Sequence, residues 1–184
     1  EAVLATVVSV EGSAYRQPGA RMLILADGQS IGMVSGGCLE KHLVQRAFWL
    51  TRDGATLKTY HTATDSQLSQ DEVADANDEQ EGFGLGCQGV IQVLFERLIL
   101  NEQSVLFACF QRLKQTKQPQ TLATVITSNS DEFVVGQHLP STQLSQLGQQ
   151  NWQLVNQVAA SRKSRFKLHV YQKQSQQLSV FVET

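Results

Sequence analysis

This chain of 184 residues is short of cysteine, proline and charge, and each shortage excludes a class of protein. Its three cysteines are too few and too widely spaced for the disulfide framework of a small secreted domain. Charged residues make up 17% of the chain and the net charge is −2, so we expect no nucleic-acid partner. No signal peptide and no long apolar run is present, which predicts a cytoplasmic protein without a membrane span.

Glycine, in contrast, is concentrated in two short loops that each contain a cysteine. The first loop is Ser35-Gly36-Gly37-Cys38, and the second is Gly84-Leu85-Gly86-Cys87-Gln88-Gly89. A thiol among residues that lack a Cβ is sterically open, and a thiolate can hold a soft metal centre or attack an electrophile. A functional site, if the chain has one, is therefore predicted in the first half.

Apolar patterning predicts an α/β or α+β fold, with a mixed sheet and flanking helices. The predicted strands cover residues 2–10, 22–26, 29–34, 57–60, 90–96, 121–127, 133–136, 166–170 and 178–182. The predicted helices cover residues 39–50, a segment capped by Asn101 with Val105, Leu106, Cys109, Phe110 and Leu113 on its buried face, and residues 152–159. The polar and acidic segment 65–81 has little to bury, which predicts a surface loop; a lid over the thiols is the alternative.

Two sequence echoes suggest a degenerate internal duplication. Leu4-Ala5-Thr6-Val7-Val8 recurs as Leu122-Ala123-Thr124-Val125-Ile126, and Val93-Leu94-Phe95-Glu96 recurs as Val180-Phe181-Val182-Glu183. The two halves would then be residues 1–100, which contain the glycine loops, and residues 101–184. Chance similarity between valine-rich strands is the alternative interpretation.

The first glycine loop leads into a predicted helix, and two interpretations of it remain open. Free N–H groups at a helix start attract anions, so residues 35–38 could bind a phosphate, and Cys38 would have a lowered pKa there. Alternatively, Glu40 reaches back and caps the helix, in which case its carboxylate would also repel a phosphate. The second loop precedes a strand and lacks the lysine of a phosphate loop, so it fits better as a wall that exposes Cys87.

Metal and nucleophile chemistry give weaker alternatives. Cys38 and His42 are one helical turn apart, and Cys87 with His61 would complete a tetrahedral zinc site, although no C-x-x-C pair is present. Cys109 lies in a helical core stripe, and we expect it to be buried. His138 and His169 are expected to face solvent or lie in loops.

The motifs together resemble the N-terminal domain of the XdhC/CoxI family, the accessory factors of xanthine dehydrogenase and related molybdenum hydroxylases. The resemblance rests on residues 4–8, on Glu11-Gly12-Ser13-Ala14-Tyr15-Arg16-Gln17-Pro18-Gly19-Ala20-Arg21-Met22, on residues 35–40 and on residues 84–91. It covers roughly the first hundred residues. The later part matches only in general pattern.

The resemblance implies that the chain is a cofactor-binding chaperone and not an enzyme. Family members bind molybdenum cofactor (molybdopterin or its dinucleotide form) as cargo and help insert it into the apo-enzyme. The thiols implied to hold it are those of Cys87 and Cys38, and the helix start with Arg16 or Arg21 suits its phosphate. The candidate cofactor-binding residues are therefore Cys87, Cys38, Ser35, Gly36, Gly37, Gly86, Gly89, Arg16 and Arg21.

The resemblance also defines the expected partners and boundaries. The partner would be an apo xanthine dehydrogenase or a related hydroxylase, with a cysteine desulfurase as a further candidate, and we expect a homo-oligomer. The 184 residues would form one N-terminal domain without the family's C-terminal nucleotide-binding-type domain. Two rival functions stay open: a thiol-dependent sulfurtransferase or redox protein that uses Cys38 and Cys87, and a purely structural docking module.

Overall fold

The computed structural model describes residues 1–37, 39–61, 89–98, 104–159 and 165–184. Its strands are β1 Ala2–Gly12, β2 Arg21–Leu25, β3 Ser30–Gly32, β4 Thr56–His61, β5 Gly89–Arg97, β6 Leu122–Ser128, β7 His138–Pro140, β8 Gln153–Ala159, β9 Phe166–Lys173 and β10 Gln176–Glu183. Its α-helices are α1 Glu40–Leu50, α2 Val105–Thr116 and α3 Ser141–Gln146, and a 3₁₀ helix follows at Leu147–Gln150. None of the helices in this part of the chain has the length and apolarity to cross a bilayer.

The strands form two antiparallel sheets of five strands each. Sheet 1 has the order β3-β2-β1-β5-β4, and sheet 2 has the order β7-β6-β10-β9-β8. Helix α1 covers the outer face of sheet 1, while α3 and the 3₁₀ helix cover the outer face of sheet 2. The predicted α+β class with flanking helices is confirmed, and the one mixed sheet of the prediction is in fact two antiparallel sheets.

The inner faces of the two sheets pack against each other. Val8 and Leu94 of sheet 1 contact Ile126 and Phe181 of sheet 2 in one buried cluster. The neighbouring β1 residues Val3, Ala5 and Val7 point the other way, toward α1. Successive strand residues point to opposite faces, so a strand covered on both sides is apolar throughout, and this explains the unbroken apolar run at the start of the chain.

The two sheets fit the internal repeat that the sequence suggests. The first repeat comprises β1, β2, β4 and β5, and the second comprises β6, β7, β9 and β10 in the same pairing order. Both repeats interrupt their central strand pair at the same place, because Val8 and Ile126 are each skipped in the register. Two strands with a common bulge at equivalent positions support duplication over chance similarity.

The turn after the first strand is repeated too. The backbone N–H of Gly19 donates to the carbonyl of Val7, and that of Gly136 donates to the carbonyl of Val125, each at 2.8 Å. Both glycines have a positive φ, +90° and +83°, a conformation that L side chains rarely adopt. This turn explains why residues 133–136, predicted as a strand, are not one: the chain folds back to the bulge at Gly136, and the strand begins at His138.

Side-chain contacts connect the two repeats reciprocally. Arg21 of the first repeat contacts Glu183 of the second, and His138 of the second repeat contacts Glu96 of the first, with 3.1 Å between His138 Nε2 and Glu96 Oε1. Arg21 and His138 are equivalent by register, since they pair with Thr6 and Thr124. Two equivalent junctions therefore join the repeats, one at Arg21 and one at His138.

Two helix predictions need correction. Residues 152–159, predicted as a helix, contain strand β8, which pairs with β9; the spacing of Trp152 and Val155 imitates a helix, but sheet pairing overrides it. Helix α2 is capped by Ser104, whose Oγ accepts from the N–H of Phe107 at 3.2 Å, while Asn101 lies outside the described residues. Of its predicted buried face, Leu106 is buried but Phe110 and Leu113 are 49% and 45% exposed.

Candidate functional site

The folded first repeat brings the termini of several elements to one end of sheet 1. Strand β5 begins at Gly89, which pairs with the last residue of β1, Gly12, while His61 at the end of β4 pairs with Val90. Strand β3 runs in the same direction as β1, so residues 33–37, between β3 and α1, also lie at this end. We call it the loop end of sheet 1: the 13–16 turn, residues 33–37, His61 and Gly89.

Several candidate residues cannot be placed. Cys38, Gly86 and Cys87 lie outside the described residues, as does the acidic segment 65–81. Each cysteine is nevertheless close in the chain to a described glycine, because Cys38 follows Gly36 by two residues and Cys87 precedes Gly89 by two. The surroundings of Gly36 and Gly89 therefore show where the described flanks of the two loops lie.

Both glycines lie against the same turn. A Cβ at Gly89 would stand 2.4 Å from the carbonyl oxygen of Ser13 and 2.7 Å from that of Glu11. A Cβ at Gly36 would stand 3.0 Å from the ring of Tyr15. The 13–16 turn is thus in contact with the described flank of each glycine-cysteine loop. Gly89 needs a residue without a side chain because its obstacles are backbone oxygens, whereas at Gly36 the exposed ring of Tyr15 would have to shift by only a few tenths of an ångström.

The Ser35 loop satisfies its own hydrogen bonds through Glu40. Glu40 Oε1 accepts from the backbone N–H groups of Val34 at 3.1 Å and Ser35 at 2.7 Å, and Oε2 accepts from Ser35 Oγ at 2.6 Å. Ser35 Oγ in turn accepts from the N–H groups of Gly37 and Leu39, each at 3.3 Å. Glu40 reaches back as the second interpretation predicts, but its hydrogen bonds hold the loop residues Val34 and Ser35, and the N-cap residue of α1, Leu39, has no side-chain cap hydrogen bond. An incoming phosphate would compete with this carboxylate.

The same network sets the ionisation of Glu40. Burial of the carboxyl raises its pKa, but the hydrogen bonds from Ser35 and Val34 outweigh that effect and hold the pKa below its usual value of 4.5. A carboxylate that accepts several hydrogen bonds is stabilised in its charged form. The loop is therefore held most firmly when Glu40 is ionised.

We predict that Glu40→Gln removes an acid-sensitive part of the stability. The folded-state pKa is lowered, so the stabilisation is complete above pH 4.5 and is lost as the pH falls through the lowered folded-state value. Thermal melts should show the variant less stable at neutral pH by about 1 kcal/mol, the scale of such hydrogen bonds. The difference should shrink as the pH is lowered below 4.5.

A matched control for this variant is Glu11→Gln. Glu11 is an exposed acid at the end of β1, and no hydrogen bond to its carboxylate is found among the described residues. Its replacement should leave the melting curves nearly unchanged at every pH. A difference in stability between wild type and Glu40→Gln that stays constant across the whole pH range would contradict the stabilising role of the ionised Glu40 carboxylate.

The two arginine candidates are in different places. Arg16 is exposed on the 13–16 turn, and in the described part of the chain no ion pair engages its guanidinium. Arg21 is directed between the two sheets, where it contacts Glu183. The structure therefore brings Arg16 to the loop end and does not bring Arg21 there.

The zinc alternative is disfavoured by the directions of its histidines. The ring of His42 on α1 packs edge-on against Tyr60, with centroids 6.2 Å apart, so Tyr60 faces the helix. His61 follows Tyr60 in the strand and points to the opposite face of the sheet. The described residues hold no group of three or more His, Cys, Asp or Glu side chains placed to bind a metal ion.

Cys109, His138 and His169 lie in helices or strands, away from the loop end. Cys109 was expected to be buried in the core, but it is only partly buried, at the edge of the cluster around Leu4, Leu106 and Leu122, and burial raises the pKa of its thiol. His138 and His169 were expected in solvent or loops, but both lie partly buried in strands. The sequence analysis did not single out Tyr15 or the pair of Glu96 and His138. The available signal for that pair was that Glu96 and Glu183 occupy the same place in the two copies of a sequence echo.

Comparisons with known proteins agree with the motifs. Residues 1–61 match the model of the XdhC and CoxI family. A protein of Bacillus subtilis (strain 168) described as a probable xanthine dehydrogenase subunit is 43% identical over 99 residues, which are 53% of this chain and 27% of that protein. The molybdenum cofactor insertion chaperone PaoD of Escherichia coli (strain K12) is 51% identical over 39 residues, which are 21% of this chain and 12% of that protein.

A solved structure is also similar to this chain. The crystal structure of a xanthine dehydrogenase from Bacillus halodurans is similar with a TM-score of 0.53 and 32% identity, over 70% of this chain and 35% of that one. The chain thus spans well under half the length of each relative. The resemblance to the XdhC and CoxI family that was drawn from the motifs is therefore confirmed, with the family match at residues 1–61.

Proposed function

We propose that this chain binds molybdenum cofactor, as molybdopterin or its dinucleotide form, at the loop end of sheet 1 and assists its insertion into a xanthine dehydrogenase-type hydroxylase. The observation that carries the proposal is the contact of Gly36 and Gly89 with the same turn. It supports a single site built from two loops that are far apart in the chain. The names of the Bacillus and Escherichia coli relatives support the assignment of the cargo and of the client.

The residues at the loop end fit such a cargo chemically. The cofactor supplies a soft Mo–S centre, a polar pterin and a terminal phosphate, and a thiolate suits the metal. We assign Cys87 the first place as thiolate ligand and Cys38 the second. Arg16 is exposed at the 13–16 turn and can donate two parallel hydrogen bonds to a phosphate.

Gly37 leaves its backbone open to the cargo, because it has a φ of +116° and nothing lies within 4 Å of where a Cβ would stand. Gly36 and Gly89 instead allow the close approach of the 13–16 turn to the two loops. We include Ser35 and Gly86 in the site as flanking residues of the two loops. Arg21 already contacts Glu183. Its guanidinium would reach the cofactor only if the Arg21 side chain moved away from that contact.

The proposed role is that of a carrier and not of a catalyst. Its partner would be an apo xanthine dehydrogenase or related molybdenum hydroxylase in the cytoplasm, with a cysteine desulfurase as a second partner and a homo-oligomer as the working state. The family segment and the chaperone relative support this role. A persulfide on Cys38 or Cys87 after incubation with a sulfur donor would instead favour the sulfurtransferase alternative.

The test is anaerobic incubation with molybdenum cofactor, followed by gel filtration and metal analysis of the protein peak. We predict that wild type retains molybdenum and that Cys87→Ser retains at least about tenfold less, because an alcohol is a poor ligand for a soft metal. Cys109→Ser is the matched control, since it removes a thiol from α2 and should retain molybdenum as wild type does. Equal retention by Cys87→Ser and wild type would exclude the leading ligand.

A further inference from the structure

Tyr15 is the most exposed aromatic side chain in the described part of the chain, at 72%. No described residue hydrogen-bonds to its hydroxyl, and no described aromatic or cationic group stacks on its ring. The ring of Trp49, which is 51% exposed, is instead engaged by the guanidinium groups of Arg46 and Arg52, 5.3 and 4.9 Å from its centroid. A single exposed ring is common at protein surfaces, so its orientation and position decide what Tyr15 can do.

The Tyr15 ring turns a face, and not an edge, toward Gly36. The point where a Cβ of Gly36 would stand is 3.0 Å from Cδ2, 3.1 Å from Cγ and 3.3 Å from Cε2 of the ring. Cγ and Cε2 are the two ring neighbours of Cδ2, and a point beyond the ring edge would be clearly farther from them than from Cδ2. The nearly equal distances therefore place Gly36 against one face of the ring, and the high exposure of Tyr15 leaves the opposite face open to solvent.

The open face of the ring lies beside groups that suit a flat and polar ligand. Arg16, the next residue in the chain, is exposed on the same turn. Gly37, the residue after Gly36, has nothing within 4 Å of where its Cβ would stand. Met33, also at the loop end, adds a second apolar side chain that is 39% exposed. The loop end thus presents an aromatic face, a cationic side chain and an open stretch of backbone close together.

We propose that Tyr15 is the stacking platform for the pterin ring of the cofactor, an inference that rests on the proposed function of the loop end. A pterin is a flat, bicyclic heteroaromatic ring, and such rings stack in an offset arrangement on an open aromatic face. In the cofactor the pterin is fused to the ring that carries the sulfurs of the Mo–S centre and the phosphate group. A pterin stacked on Tyr15 therefore keeps the phosphate near Arg16 and the metal near the loop of which Gly36 is the flank.

The test uses a pterin without metal, sulfur or phosphate, hydroxymethylpterin, whose own fluorescence anisotropy rises when it binds a protein. We expect wild type and Tyr15→Phe to bind it equally, because phenylalanine keeps the ring and no described residue hydrogen-bonds to the Tyr15 hydroxyl. Tyr15→Leu should bind it at least about tenfold more weakly, the scale on which loss of a stacked aromatic ring weakens binding. Leucine keeps an apolar contact with Gly36 but has no π-face.

The matched control is Phe110→Leu. Phe110 is also an exposed aromatic residue, at 49%, but it lies on α2, away from the loop end. Its replacement removes a ring of similar exposure and should leave pterin binding as in wild type. Thermal melts of Tyr15→Leu and Phe110→Leu should both stay close to that of wild type, because neither side chain is buried.

Cys87→Ser separates the stacking role from the proposed function. That variant should lose molybdenum in the gel-filtration assay and still bind hydroxymethylpterin, whereas Tyr15→Leu should retain less of both. Pterin binding by a wild-type chain that retains no molybdenum would support the platform and contradict the thiolate site.

Two results would overturn the platform itself. One is absence of pterin binding to wild type, and the other is equal pterin binding to wild type and Tyr15→Leu. If Tyr15→Leu binds the pterin as wild type does but loses affinity for the apo-hydroxylase, the exposed ring belongs to a protein interface instead.

Discussion

Replacement of Gly89 by valine is expected to destabilise the chain by about 3 kcal/mol, the upper range for overpacking. The added Cβ would stand 2.4 Å from the carbonyl oxygen of Ser13 and 2.7 Å from that of Glu11, and both obstacles are backbone atoms. The backbone at this end of β1 is held by β5, because Glu11 pairs with Val90 and Gly12 with Gly89, so it cannot yield cheaply. For a chain of this size the expected fall in Tm is about 6–12 °C.

The same substitution should also disturb the loop end. Gly89 pairs with Gly12 and begins the strand that follows the second glycine-cysteine loop, so a shift there moves the 13–16 turn away from both loops. Molybdenum retention is expected to fall even at temperatures where the variant remains folded. Circular dichroism melts and the gel-filtration assay together measure the two effects.

The matched control is Gly148→Ala. Gly148 lies in the 3₁₀ helix of the second repeat, has open space around an added Cβ, and has no positive φ. Its replacement should leave the Tm and the molybdenum retention near those of wild type. A Gly89→Val variant that melts like Gly148→Ala would contradict the close approach of Gly89 to the 13–16 turn.

The second large effect is expected at the Arg21 junction. Arg21→Met leaves the Glu183 carboxylate, whose side chain is 15% exposed, without its partner. Removing one member of a fully buried pair costs about 3–5 kcal/mol, and partial exposure of this pair reduces the expected loss to about 1–3 kcal/mol. Thermal melts should therefore show a fall in Tm of about 2–4 °C per kcal/mol.

A double variant separates the ion pair from other roles of Arg21. Arg21→Met with Glu183→Met removes both charges and should recover much of the stability lost in the single variant. If Arg21 instead serves the cofactor, Arg21→Met should lower molybdenum retention while the Tm stays unchanged. The contact with Glu183 leads us to expect the first result.

The sequence anticipated most elements whose signals are local. The strands predicted at 22–26 and 29–34 are present as β2 and β3, α1 begins after the first glycine loop, and the strands predicted at 166–170 and 178–182 are present as β9 and β10. The helix predicted from apolar spacing at residues 152–159 is wrong. Trp152 and Val155 fit a helical period, but the segment forms β8 and pairs with β9. The duplication was visible in two short echoes, and the structure extends it to the bulges, the turns and the side-chain contacts between the repeats.

The candidate site was anticipated only in part for a physical reason. A glycine is visible in the sequence, but the atoms that approach it are not: Ser13 and Tyr15 reach Gly89 and Gly36 only after β1 and β5 have paired. The assignment of Arg21 to a ligand reflected its place in a motif, whereas its contact is with a residue 162 positions away.

By itself, then, the sequence determined the family of the N-terminal segment, the glycine-rich character of its loops and the repetition of its strands. Only the tertiary structure decided which loops share a turn, which arginine is engaged and which side chain lies against each repeated glycine turn. Local conformation follows from short-range sterics and side-chain periodicity, whereas these choices depend on how two sheets pack: Gly19 meets the ring of Phe166, and Gly136 meets the methyl group of Ala55.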